Sequence, residues 1–369
     1  MPSILIIGGG FAGATLARQL RGRLPFNWQT IVISEDSFTT YNPLLPEVIG
    51  ASIFPEQAVA PLRQVIDVGA GRRFLTGVVT RIDTARRRVI CHTLAGEQVL
   101  AWDHLVLAFG NRARMDLVPG MADHALPLKS IGDALHIRNV MLRRLAAMEL
   151  TSDPVLSARL GHFVVIGGGF SGVEVAGALI DCLRGIARYF PGLTKAQLRV
   201  TLVHNRAVLL PEMPPALGLA AQAMLERRGV TLHLERSASA IDADGVILDN
   251  QDWLSAATVI ATIGTRSNPL ADVLGVPLAG GRIPVADDLS VPGLAGVWAL
   301  GDCAAAINGH DGQPCPPTAQ FAVAQARQLA TTLAGVVRGR RSTGFRHAPR
   351  GAMAATGHLD GVATVFGVP

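Results

Sequence analysis

The chain has 369 residues, of which 40 are glycine and 17% are charged. That length allows two or three domains with large cores, and the low charge excludes a disordered chain. The formal net charge of +5 is carried by scattered arginines with no aromatic-interleaved basic patch, which argues against a nucleic-acid partner. Cys91, Cys182, Cys303 and Cys315 are far apart, so neither a disulfide framework nor a metal site is expected, and a reducing compartment fits best.

The first strand is expected at residues 4–7, almost at Met1, leaving no room for a signal peptide. Gly8, Gly10 and Gly13 follow as G-x-G-x-x-G, and residues 12–20 continue as a helix. Strand, glycine turn and helix are the order of a dinucleotide-binding βαβ unit: Gly8 for the turn, Gly10 for approach of a pyrophosphate, Gly13 for helix–strand packing. A second strand is expected at residues 30–33, with Ser34, Glu35 and Asp36 after it. Glu35 stands where a carboxylate would hold a ribose hydroxyl, and a shift of one residue would select Asp36. Residues 39–48, TTYNPLLPEV, read as a stiff apolar loop whose one carboxylate is Glu47.

Residues 74–99 alternate as a small antiparallel sheet or hairpin, and residues 104–110 read as a buried strand closing on Gly110, with Arg112 and Arg114 behind it. Residues 131–150 have helical spacing, with Ile137, Met141, Leu142 and Leu145 inward and Arg138, Arg143 and Arg144 outward. A packed connecting helix is expected there rather than a membrane-surface one, and residues 151–160 read as a linker. The fingerprint then recurs at Gly167, Gly169 and Gly172, so the chain carries an internal duplication.

After the next strand, residues 200–203, come His204, Asn205 and Arg206, with no carboxylate. An acid there would favour NAD, and an arginine can take a 2′-phosphate. Residues 257–264 and 296–302 read as two further strands ending in glycine, the second closing on Gly301 and Asp302. Residues 316–326 open a helix, with the prolines in its first turn and Thr318 near its start. Residues 338–350 are basic, and no run of about 18 apolar residues exists to span a bilayer.

Taken together, the two fingerprints, YNPLLPEV, GVEVAGAL, ALGDCA and PPTAQ resemble the two-dinucleotide-binding-domain flavoproteins, and within them the type II NADH:quinone oxidoreductases. The resemblance implies an α/β fold of two doubly wound Rossmann-like domains, the second inserted in the first. It implies an FAD-binding domain with its linker at residues 1–158, an NAD(P)H-binding domain at 159–268, the second part of the FAD domain at 269–335, and a C-terminal basic segment at 336–369.

It further implies that Gly8, Gly10, Gly13 and Glu35 bind FAD, that Pro43 and Leu44 border the flavin with Gly110 and Gly301 at its turns, and that Asp302 bonds the ribityl chain. Gly167, Gly169 and Gly172 would bind NADH, or NADPH through Arg206; Glu174 would sit near where nicotinamide meets flavin, and Gln320 by the ring on the quinone side. Glu174 also suits the first turn of its helix, where a carboxylate is favoured in any case.

Three departures stand out. His204 replaces the ribose acid, Ala324 and Gln325 replace a glutamine and an acid, and the chain stops at Pro369 where members usually continue into membrane-lying helices. The expected activity is passage of hydride from NADH or NADPH to FAD and of electrons to a quinone, without proton pumping. The chain is expected in the cytoplasm, with at most weak membrane contact through the basic tail, and a homodimer is compatible with it. The competing readings are a non-catalytic FAD- and NAD(P)H-binding redox sensor, and a sulfide:quinone reductase-like flavoprotein, which would need reactive cysteines at the ring.

Overall fold

A computed structural model describes residues 1–366; the last three residues of the C-terminal basic segment lie outside the described residues. The chain folds into two compact units. The first comprises Met1–Thr40, Val59–Arg112 and Arg266–Pro349; the second comprises Tyr41–Ala58, Ala113–Thr265 and the residues from Arg350 on.

The first unit is built on five parallel strands in the order Val297–Ala299, His104–Leu107, Ser3–Ile7, Gln29–Ser34 and Arg72–Thr76. Ser3–Ile7 lies at the centre and is buried throughout, as an apolar parallel strand covered on both faces must be. Alternate residues point to opposite faces. Ile4, Ile6, Val32 and Val106 join Leu16 and Leu20 of helix Phe11–Leu20 and Leu329 and Leu333 of helix Ala319–Val336. Leu5, Ile7, Ile31, Ile33 and Leu105 join Val79, Ile82 and Val89 on the other side. Those last residues belong to an antiparallel sheet of Val78–Asp83, Arg88–Thr93 and Gly96–Ala101. Phe74, expected in that small sheet, instead lies in the parallel edge strand Arg72–Thr76.

The second unit repeats the plan: parallel strands Ala125–Pro127, Thr258–Ala261, His162–Ile166, Arg199–His204 and Val230–Leu234, with the fingerprint strand His162–Ile166 central. A three-stranded antiparallel sheet, Ala238–Ile241, Gly245–Leu248 and Trp253–Ser255, again covers one face.

Four expectations are corrected. Residues 39–48 are not a loop: a 3-10 turn Asn42–Leu44 runs into helix Leu45–Ile49, whose Pro46 sits in the first turn where its missing N–H costs nothing. Residues 151–160 are not a plain linker, because Asp153 accepts from the Val155 and Leu156 amides and starts helix Pro154–Leu160. In helix Ile131–Leu150, Leu142 is only half-buried, and the half-buried Arg144 donates to the Ala257 carbonyl at 3.0 Å. Pro316 and Pro317 precede the Thr318 cap instead of occupying the first turn. The sequence reading also missed a hairpin, Gly351–Gly357 with Asp360–Val365. Among the described residues no helix is long and apolar enough to cross a membrane.

His162 makes the second unit acid-sensitive. Its ring is 4% exposed, donates from Nδ1 to the Ser255 carbonyl at 2.7 Å and accepts at Nε2 from Thr201 Oγ1 at 2.8 Å. Burial pulls its pKa from 6.5 down to about 4. Between those values the unfolded chain binds the extra proton and the folded chain does not, so stability rises with pH. We expect about 3 kcal/mol to be lost as pH falls through that window. Urea unfolding at pH 7 and pH 4.5 should show the loss in the wild type, and His162→Gln should flatten it.

Candidate functional site

Each glycine of the first fingerprint has a separate physical reason. Gly8 sits at φ +111°, and a Cβ there would run into the Ala108 carbonyl. At Gly13 a Cβ would overlap the Gly8 carbonyl, so only glycine lets the helix close on the turn. Gly10 is different: nothing stands within 4 Å of a Cβ added to it. It is the N-cap of helix Phe11–Leu20, yet no side chain caps that end. An open backbone cradle at a helix N-terminus without a side-chain cap fits a bound pyrophosphate.

The same unit brings Gly301 and Asp302 to this turn. Gly301, at φ +73°, packs so that an added Cβ would lie 3.0 Å from Ala12 Cβ, and its N–H donates to Gln325 Oε1 at 2.7 Å. Gln325 is 1% exposed, so this departure from the family pattern is explained by packing, since the buried amide fixes the Gly301 turn. Gly110, at φ +64°, lies in the turn after the neighbouring strand, and its backbone bonds the Cys303 thiol. Past the second strand, Glu35 holds Arg112 Nη2 with both oxygens, at 2.5 and 2.6 Å. The arginine had drawn no role from the sequence. Asp36 is pushed up by burial and by Glu35, against the pull of Arg112.

Gln320 and His347 meet in this unit. His347 Nε2–H donates to Gln320 Oε1 at 3.1 Å, the ring lies edge-on to Phe321, and its backbone is tied to Asn308 by bonds of 2.9 and 2.8 Å. The sequence reading placed residue 347 in a basic tail; no motif distinguishes it there. Cys303 is no redox thiol: burial pushes it up to about 12, and its Sγ donates to the Leu107 and Leu300 carbonyls at 3.3 Å.

In the second unit the fingerprint has the same geometry. Gly167 is at φ +116°, and a Cβ at Gly172 would overlap the Gly167 carbonyl. Gly169 caps helix Phe170–Ile186 with no side-chain bond, and the nearest atom to an added Cβ is Glu212 Oε1 at 3.9 Å. The Gly8 amide donates to Ile33 and the Gly167 amide to Val203, so His204 corresponds to Ser34, Asn205 to Glu35 and Arg206 to Asp36.

By this register Asn205, and not His204, is the residue equivalent to Glu35. His204 is 7% exposed, and its Nδ1 accepts from the Gly168 amide at 3.2 Å, so it props the turn from behind. Arg206 is exposed. Backbone bonds from Glu235 to Arg206 and from Arg236 to His204 bring Arg236 alongside.

Pro43 (exposed) and Leu44 (half-buried) lie in the 3-10 turn of this second unit, with Glu174 further on in the fingerprint helix. Glu174 is the fifth residue of that helix, beyond its first turn, which holds no acid. The N-terminal dipole is therefore not the reason for a carboxylate here. Burial pushes Glu174 up to about 7, and Glu47 adds to this, while the Ala355 N–H, donating to Oε1 at 3.4 Å, works against it. Ala355 belongs to the C-terminal hairpin, which sits on the same helix through Gly177; a side chain there would collide with the Thr356 and Gly357 backbone. Asp181, one turn on, accepts from Arg228 Nη1 at 2.6 Å and from the His358 N–H at 2.7 Å, clamping the hairpin turn.

Comparison with known proteins gives a consistent result. The family model for pyridine nucleotide-disulphide oxidoreductases matches residues 2–326. The type II NADH:quinone oxidoreductase Ndh of Mycobacterium tuberculosis is 30% identical over 386 aligned positions, covering 98% of this chain and 79% of that protein. The type II NADH:quinone oxidoreductase of Staphylococcus aureus is 26% identical, covering 99% and 90%. Among solved structures, NDH2 from Plasmodium falciparum in complex with NADH superposes with a TM-score of 0.90 at 17% identity, over 99% of this chain and 90% of that one. The sulfide:quinone oxidoreductase of Aquifex aeolicus superposes at 0.74, with 17% identity, over 100% and 82%. At those identities the structures speak for the fold alone.

The glycines separate by experiment. Gly10→Val enters open space and should lower stability by about 1 kcal/mol, the scale of a helix cap. Gly13→Ala overpacks the turn and should cost about 3 kcal/mol. Chemical unfolding of both variants checks the contrast.

Proposed function

The chain belongs to the pyridine nucleotide-disulphide oxidoreductase family, within it to the type II NADH:quinone oxidoreductases, and we propose that it passes electrons from NADH or NADPH through FAD to a quinone. The observation that carries this reading is that both fingerprint helices start on a glycine, Gly10 and Gly169, which has open space around it and makes no side-chain cap. Two such cradles in one chain suit two dinucleotides.

In this reading the first unit holds FAD. Gly8, Gly10 and Gly13 take its pyrophosphate, Glu35 its adenosine ribose, and Asp302 its ribityl chain beside the Gly110 and Gly301 turns. Gly167, Gly169 and Gly172 take the pyrophosphate of the nicotinamide nucleotide. Bound FAD supplies the two-electron chemistry; the protein orients, excludes water and supplies a proton. Glu174, near half-protonated at neutral pH, is the acid suited to that proton transfer. Gln320, held by His347, stands on the quinone side.

Asn205 and Arg206 support use of NADPH as well as NADH, because no carboxylate stands there to repel a 2′-phosphate. In this reading electron transfer proceeds without proton pumping. The exposed Arg338, Arg340, Arg341 and Arg346 support weak, salt-sensitive contact with an anionic membrane surface.

The test is the spectrum of the purified, FAD-loaded protein. Anaerobic NADH should bleach it, and a short-chain quinone should restore it; a colourless protein that retains no FAD would overturn the reading. Arg206→Ala should lower kcat/KM for NADPH about tenfold, as loss of one charge-assisted phosphate contact does, and leave NADH within twofold. A strong NADH preference unchanged by the substitution would contradict the assignment of Arg206.

A further inference from the structure

We propose that Glu47 is a positioning residue for Glu174: the two carboxyls hold one proton between them, and that proton is the one quinone reduction draws from solvent. The proposal rests on the quinone reading for its chemistry and on the second unit alone for its geometry.

Helix Leu45–Ile49 packs on the fingerprint helix Phe170–Ile186. They approach at Gly50 and Ala178, where an added Cβ on Gly50 would lie 3.0 Å from the Ala178 carbonyl and 3.1 Å from its Cβ. Residues three and four apart share a helix face. One turn back from Gly50 is Glu47, and one turn back from Ala178 is Glu174, so the carboxyls occupy matching faces of the two helices.

Glu47 Oε2 is buried and has no hydrogen-bond partner among the described residues. An ionised carboxylate oxygen left so is costly, and a proton shared with a neighbouring carboxyl removes that cost. Glu174 Oε1 accepts the Ala355 N–H at 3.4 Å, which fixes the group.

The surrounding charges do not neutralise the pair. On the same helix Asp181 is engaged with Arg228, which also reaches Asp360 of the hairpin. Arg138, from helix Ile131–Leu150, acts on Cys182. His204, from strand Arg199–His204, is tied to Gly168. The hairpin strand Gly351–Gly357, against which Glu174 lies, has no titratable side chain. Glu47 is the charged group that acts on Glu174, and burial pushes both carboxyls up.

The balance of the reaction calls for such a store. A reduced nicotinamide gives up two electrons and one proton as hydride, whereas a quinone becoming a quinol gains two electrons and two protons. One proton per turnover must come from water. A carboxyl O–H breaks as the quinol O–H forms, and the pair refills from solvent. Two close carboxyls retain one proton up to neutral pH where a lone exposed one would not.

Glu47→Gln removes the like charge and so lowers the pKa of Glu174. We expect the alkaline limb of kcat for a short-chain quinone to move down by about one unit, so that kcat at pH 8 falls about tenfold. Flavin content should be unchanged, and kcat at pH 6 should fall only about twofold. Infrared difference spectra of the FAD-loaded protein between pH 4 and pH 9, without donor or acceptor, read the pair directly. The wild type should show a protonated carboxyl titrating near 7. Glu174→Gln should lose that band, and Glu47→Gln should move its midpoint about one unit lower.

A wild-type midpoint near the ordinary glutamate value of 4.5 overturns the proposal without any variant. So does a Glu47→Gln midpoint equal to the wild type. An infrared shift in a protein that reduces no quinone would support the pair and count against the quinone reading alone.

Discussion

A helix N-terminus left without a side-chain cap is the constraint on which both halves of this protein depend. Several other helices of the chain are capped in the usual way. Ser130 and Asp133 form a reciprocal capping box, and Asp153, Asn268 and Thr318 each accept a first-turn amide. Gly10 and Gly169 stand at these two N-caps with no side-chain bond, forgoing roughly a few tenths of a kcal/mol of capping at each. Everything around these turns serves to hold them open: Gly8 and Gly13 by letting backbone meet backbone, Gln325 by fixing Gly301, and His204 by supporting Gly168.

The duplicated plan then diverges by charge. In the first unit the strand end offers Glu35, paired with Arg112. In the second the equivalent places hold Asn205 and Arg206. The backbone scaffold is kept while two carboxylates at the strand end, Glu35 and Asp36, give way to a neutral amide and a cation. The second unit also carries Glu174 in a buried setting, with the hairpin amide of Ala355 on one side and Glu47 on another. Such a carboxyl titrates near neutrality because water is excluded from it.

The periodic, local features of this architecture were legible in the sequence. Both fingerprints, the buried strands and the helix at residues 131–150 are where short-range pattern places them, because glycine spacing and apolar runs report on neighbouring backbone. What could not be read depends on long-range packing. Helix Leu45–Ile49 hides behind two prolines that look like loop residues, yet one of them fits a first helical turn. The hairpin at residues 351–365 is short and small-residued, and it exists because Gly177 and the Asp181–Arg228 pair receive it. His347 became visible only when the fold brought it to Gln320 across 27 positions of sequence. The one-residue offset between His204 and Asn205 follows from which carbonyl each fingerprint amide meets, a register that spacing alone leaves open.

The central claim is that each glycine turn cradles its own dinucleotide. Amide hydrogen exchange on the full chain, with FAD alone and then with NADH added, tests it most directly. The account predicts that FAD slows exchange at residues 8–14 and leaves 167–173 unchanged, and that NADH then slows 167–173. Protection of one segment by both ligands, or of neither segment by either, would contradict it.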